Sequence, residues 1–201
     1  EIYYKIDHPK HSNFTDKEKA LEFCKTIFPH SVVMKLSSPN VIHKTEMKGI
    51  FLDIKDEEQF NYSWEKLFGI IIANKLDNAS ILIQEMIFKS NEAIIGFNTD
   101  ENFGKIMIFG MGGIYTEIME DLSIRILPTD KFEEMINETK IGKIIKGVRG
   151  EKPKALKEVV DTLNKVQKIA FDFPEITTID INPILISEER AVVADFKILL
   201  K

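Results

Sequence analysis

The sequence predicts a mixed α/β protein of two lobes. Three observations lead there. Short strand-like apolar runs alternate with longer stretches of helical periodicity. After about residue 88 the pattern changes to strands in close succession. The length, 201 residues, suits one two-lobed domain or two small ones.

The first lobe is predicted over residues 15–87. TDKEKALEFCKTIF reads as a helix, with Thr15 and Glu18 at capping-box spacing. Its Ala20, Leu21, Cys24, Ile27 and Phe28 share one face. SVVMKL is a strand, a turn-rich loop follows, and GIFLDI is a second strand. DEEQFNYSWEKLFGIIIANKL is a helix that opens on Asp56 and carries a stripe of Phe60, Trp64, Leu67, Phe68 and Ile71. ILIQEMI is a third strand. The order strand–strand–helix–strand makes a compact α/β lobe.

The second lobe is predicted over residues 88–201, with the join near residues 84–88. EAIIGFNTD, KIMIFGM and IYTEIM are expected as antiparallel neighbours, with the turn DENFG between the first two. KFEEMINETK reads as one helix. KALKEVVDTLNKVQKIAF is a stronger one, with Leu156, Val159, Val160, Leu163, Val166, Ile169 and Ala170 on one face. TTIDINPILI and AVVADFKILL form a final hairpin around SEER. Residues 1–14 stay unassigned, and a start at Glu1 leaves a trimmed or processed end open.

Composition narrows the function. Hydrophobic residues make up 44% and charged residues 29%, as in soluble globular proteins. No apolar run approaches the roughly 20 residues of a membrane span, and no signal-peptide pattern is visible. Cys24 is the single cysteine, which excludes an intrachain disulfide or a cysteine zinc site and makes a reducing cytoplasm the simplest home. A net charge of −5 argues against broad nucleic-acid binding. Any phosphate recognition must then be local. Arg125, Arg149 and Arg190 are the only arginines. Two of them, Arg125 in IRILP and Arg149 in GVRG, lie beside Pro or Gly at expected element ends. They read as positioned anion contacts or as plain surface charge.

Four constellations carry chemistry. Lys35 ends a strand and is followed by SSPNVIHKT, which brings His43 and Lys44. A lysine there holds a phosphate as a point charge or simply solvates the strand end. In FGMGGIYTE, Gly110, Gly112 and Gly113 free the backbone to approach a ligand and to aim N–H groups at phosphate oxygens. A tight hairpin explains the same glycines, and neither a Walker loop nor a dinucleotide fingerprint is present. In IDINPILI…VVADFK, Asp180 and Asn182 point to one face, with Asp195 on the next strand. These hard oxygens suit magnesium held together with substrate phosphates, or are polar groups on an outer face. Finally, the strand leaving the first lobe, Gln84, Glu85 and Met86, offers backbone to an adenine edge, with Glu92 near enough in sequence to accept from ribose hydroxyls.

Taken in order, the blocks FPHSVVMKLSSPNVIHKTEMKGIFLDI, FGKIMIFGMGGIYTEIMEDLSIRILP, GVRG and IDINPILI…VVADFK resemble the beta subunit, or ATP-grasp region, of ADP-forming acyl-CoA synthetases. The resemblance covers nearly the whole chain and starts in earnest near residue 15. It implies an ATP-grasp fold of two α/β lobes with ATP held between them. Residue by residue, it implies that Lys35 touches nucleotide phosphate and that Gln84, Glu85 and Met86 bind adenine through backbone. Glu92 would lie at the ribose, Gly112 and Gly113 against the phosphates, and Arg125 among the nucleotide contacts. Asn182 and Asp195 would hold magnesium. His43 would take phosphate from a histidine on a CoA-binding alpha subunit and carry it to ADP. This chain departs from the family pattern in having Lys48-Gly49 after HKTEM and Thr178 two residues before Asp180.

The implied activity is an acid–thiol ligase: acyl-CoA, ADP and phosphate to acid, CoA and ATP, reversibly. Such a chain is expected to act in the cytoplasm as part of a hetero-oligomer and only with its alpha partner. The rival of another class is a non-catalytic ATP-grasp module that senses adenine nucleotide for an acyltransferase or regulatory protein. His43 separates the two, since a sensor has no need of it. A neutral imidazole is a competent nucleophile near neutral pH, and Lys35 and Lys44 can offset the arriving charge.

Overall fold

The computed structural model describes residues 4–38, 49–113, 120–148 and 150–201. His43 and Lys44, Arg149, and the segment IYTEIM therefore lie outside the described residues. The chain divides into two compact units, Pro9–Met86 and the pair Glu1–His8 with Ile87–Lys201.

The unit Pro9–Met86 is a four-stranded sheet under two helices. Its strands are β1 (His11–Phe14), β2 (Val32–Ser37), β3 (Ile50–Ile54) and β4 (Ser80–Glu85), in the order β1-β4-β2-β3. Every pair is antiparallel. Helices α1 (Lys17–Lys25) and α2 (Glu57–Ala73) start where an aspartate accepts a first-turn N–H: Asp16 from Lys19 and Asp56 from Gln59. Asp56 is the predicted start of its helix. The other cap is Asp16 rather than Thr15, because the carboxylate beside the helix reaches the Lys19 amide at 3.0 Å.

Strand alternation sorts this sheet. Val32, Met34 and Leu36 of β2 and Ile81 and Ile83 of β4 enter a core with Ala20 and Cys24 of α1 and Phe60, Trp64 and Leu67 of α2. Burying each large aliphatic side chain contributes about 1.5–3 kcal/mol. Phe68, placed on the buried stripe by periodicity, is 43% exposed. It follows Leu67 directly, and one residue of helix turns a side chain by about 100°. The residues of β2 and β4 left on the sheet face away from the helices are Val33, Lys35 and Ser37, and Ser80, Leu82 and Gln84.

The other unit is built on a six-stranded antiparallel sheet. Its strands are β5 (Asn91–Asp100), β6 (Gly104–Met111), β7 (Leu122–Ile126), β8 (Ile176–Ile186), β9 (Ala191–Val193) and β10 (Phe196–Leu200). The order is β10-β8-β5-β6-β7, with β9 paired to β8. Asp100 pairs with Gly104 across the β5–β6 turn, and its carboxylate accepts from the N–H groups of Asn102 and Phe103 at 2.8 and 2.9 Å. Gly104 takes φ +73°, the left-handed residue that closes a three-residue hairpin. The third strand of this meander is LSIRI.

Three helices pack on one face of this sheet: α3 (Phe132–Asn137), α4 (Lys140–Ile145) and α5 (Leu156–Asp172). The helix expected over KFEEMINETK is α3, which stops at Asn137, and α4, which the sequence reading did not assign, follows from Lys140. Thr139 takes extended backbone and caps α4 by accepting from the Gly142 N–H at 3.0 Å. Asp121 accepts the next two orphan amides, from Lys140 at 2.7 Å and Ile141 at 2.9 Å. Along α5 the predicted face holds. Val159, Leu163, Val166, Ile169 and Ala170 are buried against Ile95, Phe97, Met107, Phe109, Ile179 and Ile181.

The unassigned N-terminal segment is tied down. Ile6 joins the larger core at 4% exposure. Asp7 O accepts from Val193 N at 2.9 Å, and the Tyr4 hydroxyl donates to Asp172 at 2.8 Å. HSNF then adds an edge strand to β4, with His11 opposite Gln84. No helix among the described residues is long and apolar enough to cross a membrane.

Candidate functional site

In the Pro9–Met86 unit the residues of interest sit where β2 and β4 run side by side. Lys35 pairs with Leu82 and Val33 with Gln84. Lys35 and Gln84 are therefore diagonal neighbours on the face away from the helices. The Lys35 ammonium donates to Gln84 Oε1 at 2.8 Å, which aims it along the end of β4. There Glu85 N donates to Lys10 O at 2.8 Å and Met86 N donates to Ser31 O at 2.9 Å. The Glu85 and Met86 N–H groups are thus engaged within the fold.

In the other unit the feature that organises the site is a break in β8. The Asn182–Pro183 bond is cis. Opposite it the β5 register steps from Ala93↔Ile184 to Ile95↔Ile181, so two β8 residues face Ile94 alone. On the other flank Ala194 N donates to Pro183 O at 3.0 Å, between the end of β9 and the start of β10. Asp195 thus lies in the gap between two strands and not at the middle of one. A proline cannot donate to the ladder, so the pairing strand gives way beside it. The Asp195 carboxylate accepts from Phe196 N at 3.0 Å.

The glycine segment lies down against β5 and β8. Gly112 N donates to Glu92 O at 3.0 Å, and Gly113 N donates to Asn182 Oδ1 at 2.8 Å. A Cβ on Gly112 would fall 2.5 Å from the Ala93 backbone, and one on Gly113, at φ +68°, would fall 1.7 Å from Glu92 Oε2. Gly112 therefore requires glycine for close approach to backbone, and Gly113 for its left-handed φ. Glu92, Gly112, Gly113 and Asn182, chosen from three separate readings of the sequence, meet here.

Asp180 shares the Asn182 face and stands directly across from Lys197 of β10. Burial pushes its carboxyl above the usual carboxylate range. The Lys197 ammonium opposes that rise and the Asp195 charge adds to it. Lys197 was not singled out in the sequence. Its place depends on strand register, which the sequence pattern leaves open; its only signal was its position two residues after Asp195.

Arg125 is not brought to this cluster. It pairs with the buried Met107, and so points to the helix-covered face. Its guanidinium donates to Glu138 at 2.6 Å and to the Ser123 hydroxyl at 3.1 Å. Arg190 forms a two-pronged contact with Asp7, at 3.2 Å for each nitrogen. Two of the three arginines thus tie the unit together.

The donor set fits a hard divalent cation. Among the described residues no three His, Cys, Asp or Glu side chains cluster as a metal cage. Magnesium prefers one or two carboxylates completed by waters and substrate phosphates. Asp180, Asp195 and the Asn182 amide oxygen supply that chemistry. The Gly113 N–H fixes the oxygen, not the NH2, toward the loop.

Comparison with known proteins agrees with this layout. The ATP-grasp domain family matches residues 2–200, so the likeness extends over the N-terminal segment that the sequence motifs left out. The beta subunit of acetate–CoA ligase [ADP-forming] I from Pyrococcus furiosus is 35% identical over 201 residues, covering 98% of this chain and 86% of that subunit. The acetate–CoA ligase [ADP-forming] I of Archaeoglobus fulgidus is 36% identical over 179 residues, 85% of this chain and 25% of that longer protein. The solved structure of acetyl-coenzyme A synthetase 1 from Ca. Korarchaeum cryptofilum, with coenzyme A and Ca-AMPCP, superposes with a TM-score of 0.89 at 31% identity, covering 100% of this chain and 89% of that one. A second structure of that protein holds coenzyme A and Mg-AMPPCP, with its phosphohistidine segment pointing towards the nucleotide-binding site (TM-score 0.83, 29% identity, 100% of this chain and 88% of that one). The chain belongs to the ATP-grasp domain family and, within it, to the family of ADP-forming acetate–CoA ligase beta subunits.

Proposed function

We propose that this chain is the nucleotide-binding subunit of an ADP-forming acyl-CoA synthetase, acting with a CoA-binding alpha subunit in the cytoplasm. The reaction takes acyl-CoA, ADP and phosphate to acid, CoA and ATP, and runs in both directions. The observation that supports it most is the hydrogen bond from Gly113 N to Asn182 Oδ1. It couples the glycine segment to β8, which carries Asp180 and Asn182.

On this reading Asn182 and Asp195, with Asp180 beside them, hold magnesium, which spreads the charge of the transferring phosphoryl group. The N–H groups of Gly112 and Gly113, expected to aim at phosphate, are taken by Glu92 O and Asn182 Oδ1. The two glycines thus let the loop lie close beside the phosphates without donating to them, and Glu92 accepts from the ribose hydroxyls. Lys35, steadied by Gln84, neutralises phosphate charge as a point cation. The carbonyls of Glu85 and Met86 receive the adenine amino group. Arg125 serves the fold through Glu138, on the helix-covered face of the sheet.

His43 carries the phosphoryl group. Its neutral ring nitrogen attacks phosphorus held on a histidine of the alpha subunit. A new N–P bond forms as the donor N–P bond breaks. A terminal ADP oxygen then attacks phosphorus, the His43 N–P bond breaks, and the imidazole returns neutral.

The test combines the chain with a CoA-binding alpha subunit, acetyl-CoA, phosphate and Mg-ADP, and follows ATP formation. ATP forms with the wild-type chain and not with His43→Ala. Mg-ATP leaves an acid-labile phosphate on the wild-type chain alone. Tight nucleotide binding with no labelling and no turnover would instead assign the chain to nucleotide sensing.

A further inference from the structure

Lys197 stands on the candidate cation site and has no part in the function argued so far. The β8–β10 register sets it directly opposite Asp180, and directly opposite residues on antiparallel strands point to the same face. On its other flank Asp180 faces Gly96 of β5, which offers no side chain. Asp195 begins the same short segment two residues earlier, and its charge acts on Asp180 along with that of Lys197. The ammonium therefore shares a face with the carboxylates proposed to bind the metal. Lys197 is exposed and Asp180 is half-buried, so the lysine can move without opening the core.

We propose that Lys197 is a resident counter-cation for Asp180 and Asp195, so that a divalent ion binds well only when nucleotide phosphates arrive with it. This deepens, and rests on, the magnesium reading above. Without a ligand, the ammonium offsets the repulsion between the two carboxylates and competes with any free divalent ion. When a nucleotide comes in, its phosphates give the ammonium another partner, and the carboxylates turn to the metal. Lys197 is thus a positioning residue that favours the metal–nucleotide complex over bare metal.

The probe is Mn2+ added to the purified 201-residue chain, with free Mn2+ read by electron paramagnetic resonance, with and without ADP. Removing one partly exposed opposing charge makes Lys197→Met bind Mn2+ alone about two- to five-fold more tightly than wild type at low salt. The gap narrows when ADP is present, and it narrows as ionic strength rises. Lys197→Arg keeps the charge and stays at the wild-type value, which a purely structural role for the side chain would not require. Asp195→Asn loses Mn2+ binding in both backgrounds. A Lys197→Met chain that binds Mn2+ alone as wild type does, or more weakly, overturns the inference while the magnesium reading stands. Absence of Mn2+ binding by wild type even with ADP removes the magnesium reading, and this inference with it.

Discussion

Gly113 donates its N–H to the amide oxygen of Asn182 at 2.8 Å, across 69 positions of sequence. The bond joins a glycine that needs φ +68° to a residue held by a cis peptide at a strand break. It fixes which end of the Asn182 amide is presented, and it anchors the loop whose other glycine is bonded to Glu92. Substitutions at the two glycines separate packing from ligand effects, because the obstacles to a Cβ differ.

At Gly112 the obstacle is the Ala93 backbone at 2.5 Å, which cannot turn aside. At Gly113 it is the end of the Glu92 side chain, which can. Gly112→Ala is expected to cost about 1–3 kcal/mol through overpacking. Gly113→Ala is expected to cost nearer 1 kcal/mol, from left-handed strain alone. Urea midpoints for the two variants check the order. Glu92 must rotate in Gly113→Ala, so ADP affinity should fall there, and should fall further than in a Glu92→Ala, Gly113→Ala double variant compared with Glu92→Ala.

Asp180 trades stability for its charge. Its folded-state pKa lies above the unfolded value, chiefly through burial. The folded chain then binds more protons than the unfolded one between those two values, and stability falls as pH rises through that window. Above it the penalty is full. Asp180→Asn is therefore expected to melt at a slightly higher temperature than wild type at pH 7, by less than about 1 kcal/mol after solvent screening. The two should converge below the ordinary aspartate range. The same variant should bind Mn2+ with ADP more weakly. A lower melting temperature at pH 7 would contradict the assignment.

Three carboxylates work with the opposite sign. Hydrogen bonds from Ser31 and Lys55 hold Asp53 low, the backbone N–H groups of Phe103 and Asn102 hold Asp100 low, and Arg125 with Ser123 holds Glu138 low. What each contributes to stability is present above its unfolded pKa and lost as pH falls through the lowered folded one. Melting curves from pH 7 to pH 2 should thus show most of the loss below about pH 4. Asp100→Asn and Glu138→Gln should lie below wild type at pH 7 and approach it in acid. A gap that stayed constant down to pH 2 would mean the carboxylate charges are not what holds the β5–β6 turn and the β7–α3 tie.

Much of this architecture could be read from the pattern of apolar residues, and the failures have local causes. The α5 face and the Asp56 cap follow from periodicity and capping chemistry that neighbours do not override. HSNF has no alternating apolar run, and it is a strand because β4 lends it an edge. The α3–α4 break depends on Thr139 and on Asp121, which arrives from 19 and 20 positions upstream to accept the Lys140 and Ile141 amides. At the site, residue type marked Glu92, Gly112, Gly113 and Asn182, because hard oxygens and paired glycines announce themselves. Lys197 and the sheet face taken by Arg125 depend on register, and no single strand records its partner's register.

The single cysteine gives the last prediction, a direct report on the smaller core. Cys24 is fully buried, and burial pushes its thiol up to about 12. Only the thiolate attacks disulfide reagents, so at pH 8 Ellman's reagent should react with the folded chain far more slowly than with the chain in urea. Because Cys24 packs in the cluster with Phe60, Trp64 and Leu67, the rate at intermediate urea measures opening of the Pro9–Met86 unit. Phe60 is fully buried in that cluster, and Phe60→Ala should cost about 3–5 kcal/mol. Where exchange between open and closed forms is fast, that cost multiplies the labelling rate by about 150- to 5,000-fold. Val166→Ala in α5 removes packing from the other core and should leave the Cys24 rate unchanged wherever the two units open independently. Equal acceleration by both substitutions would show that the two cores unfold as one cooperative unit.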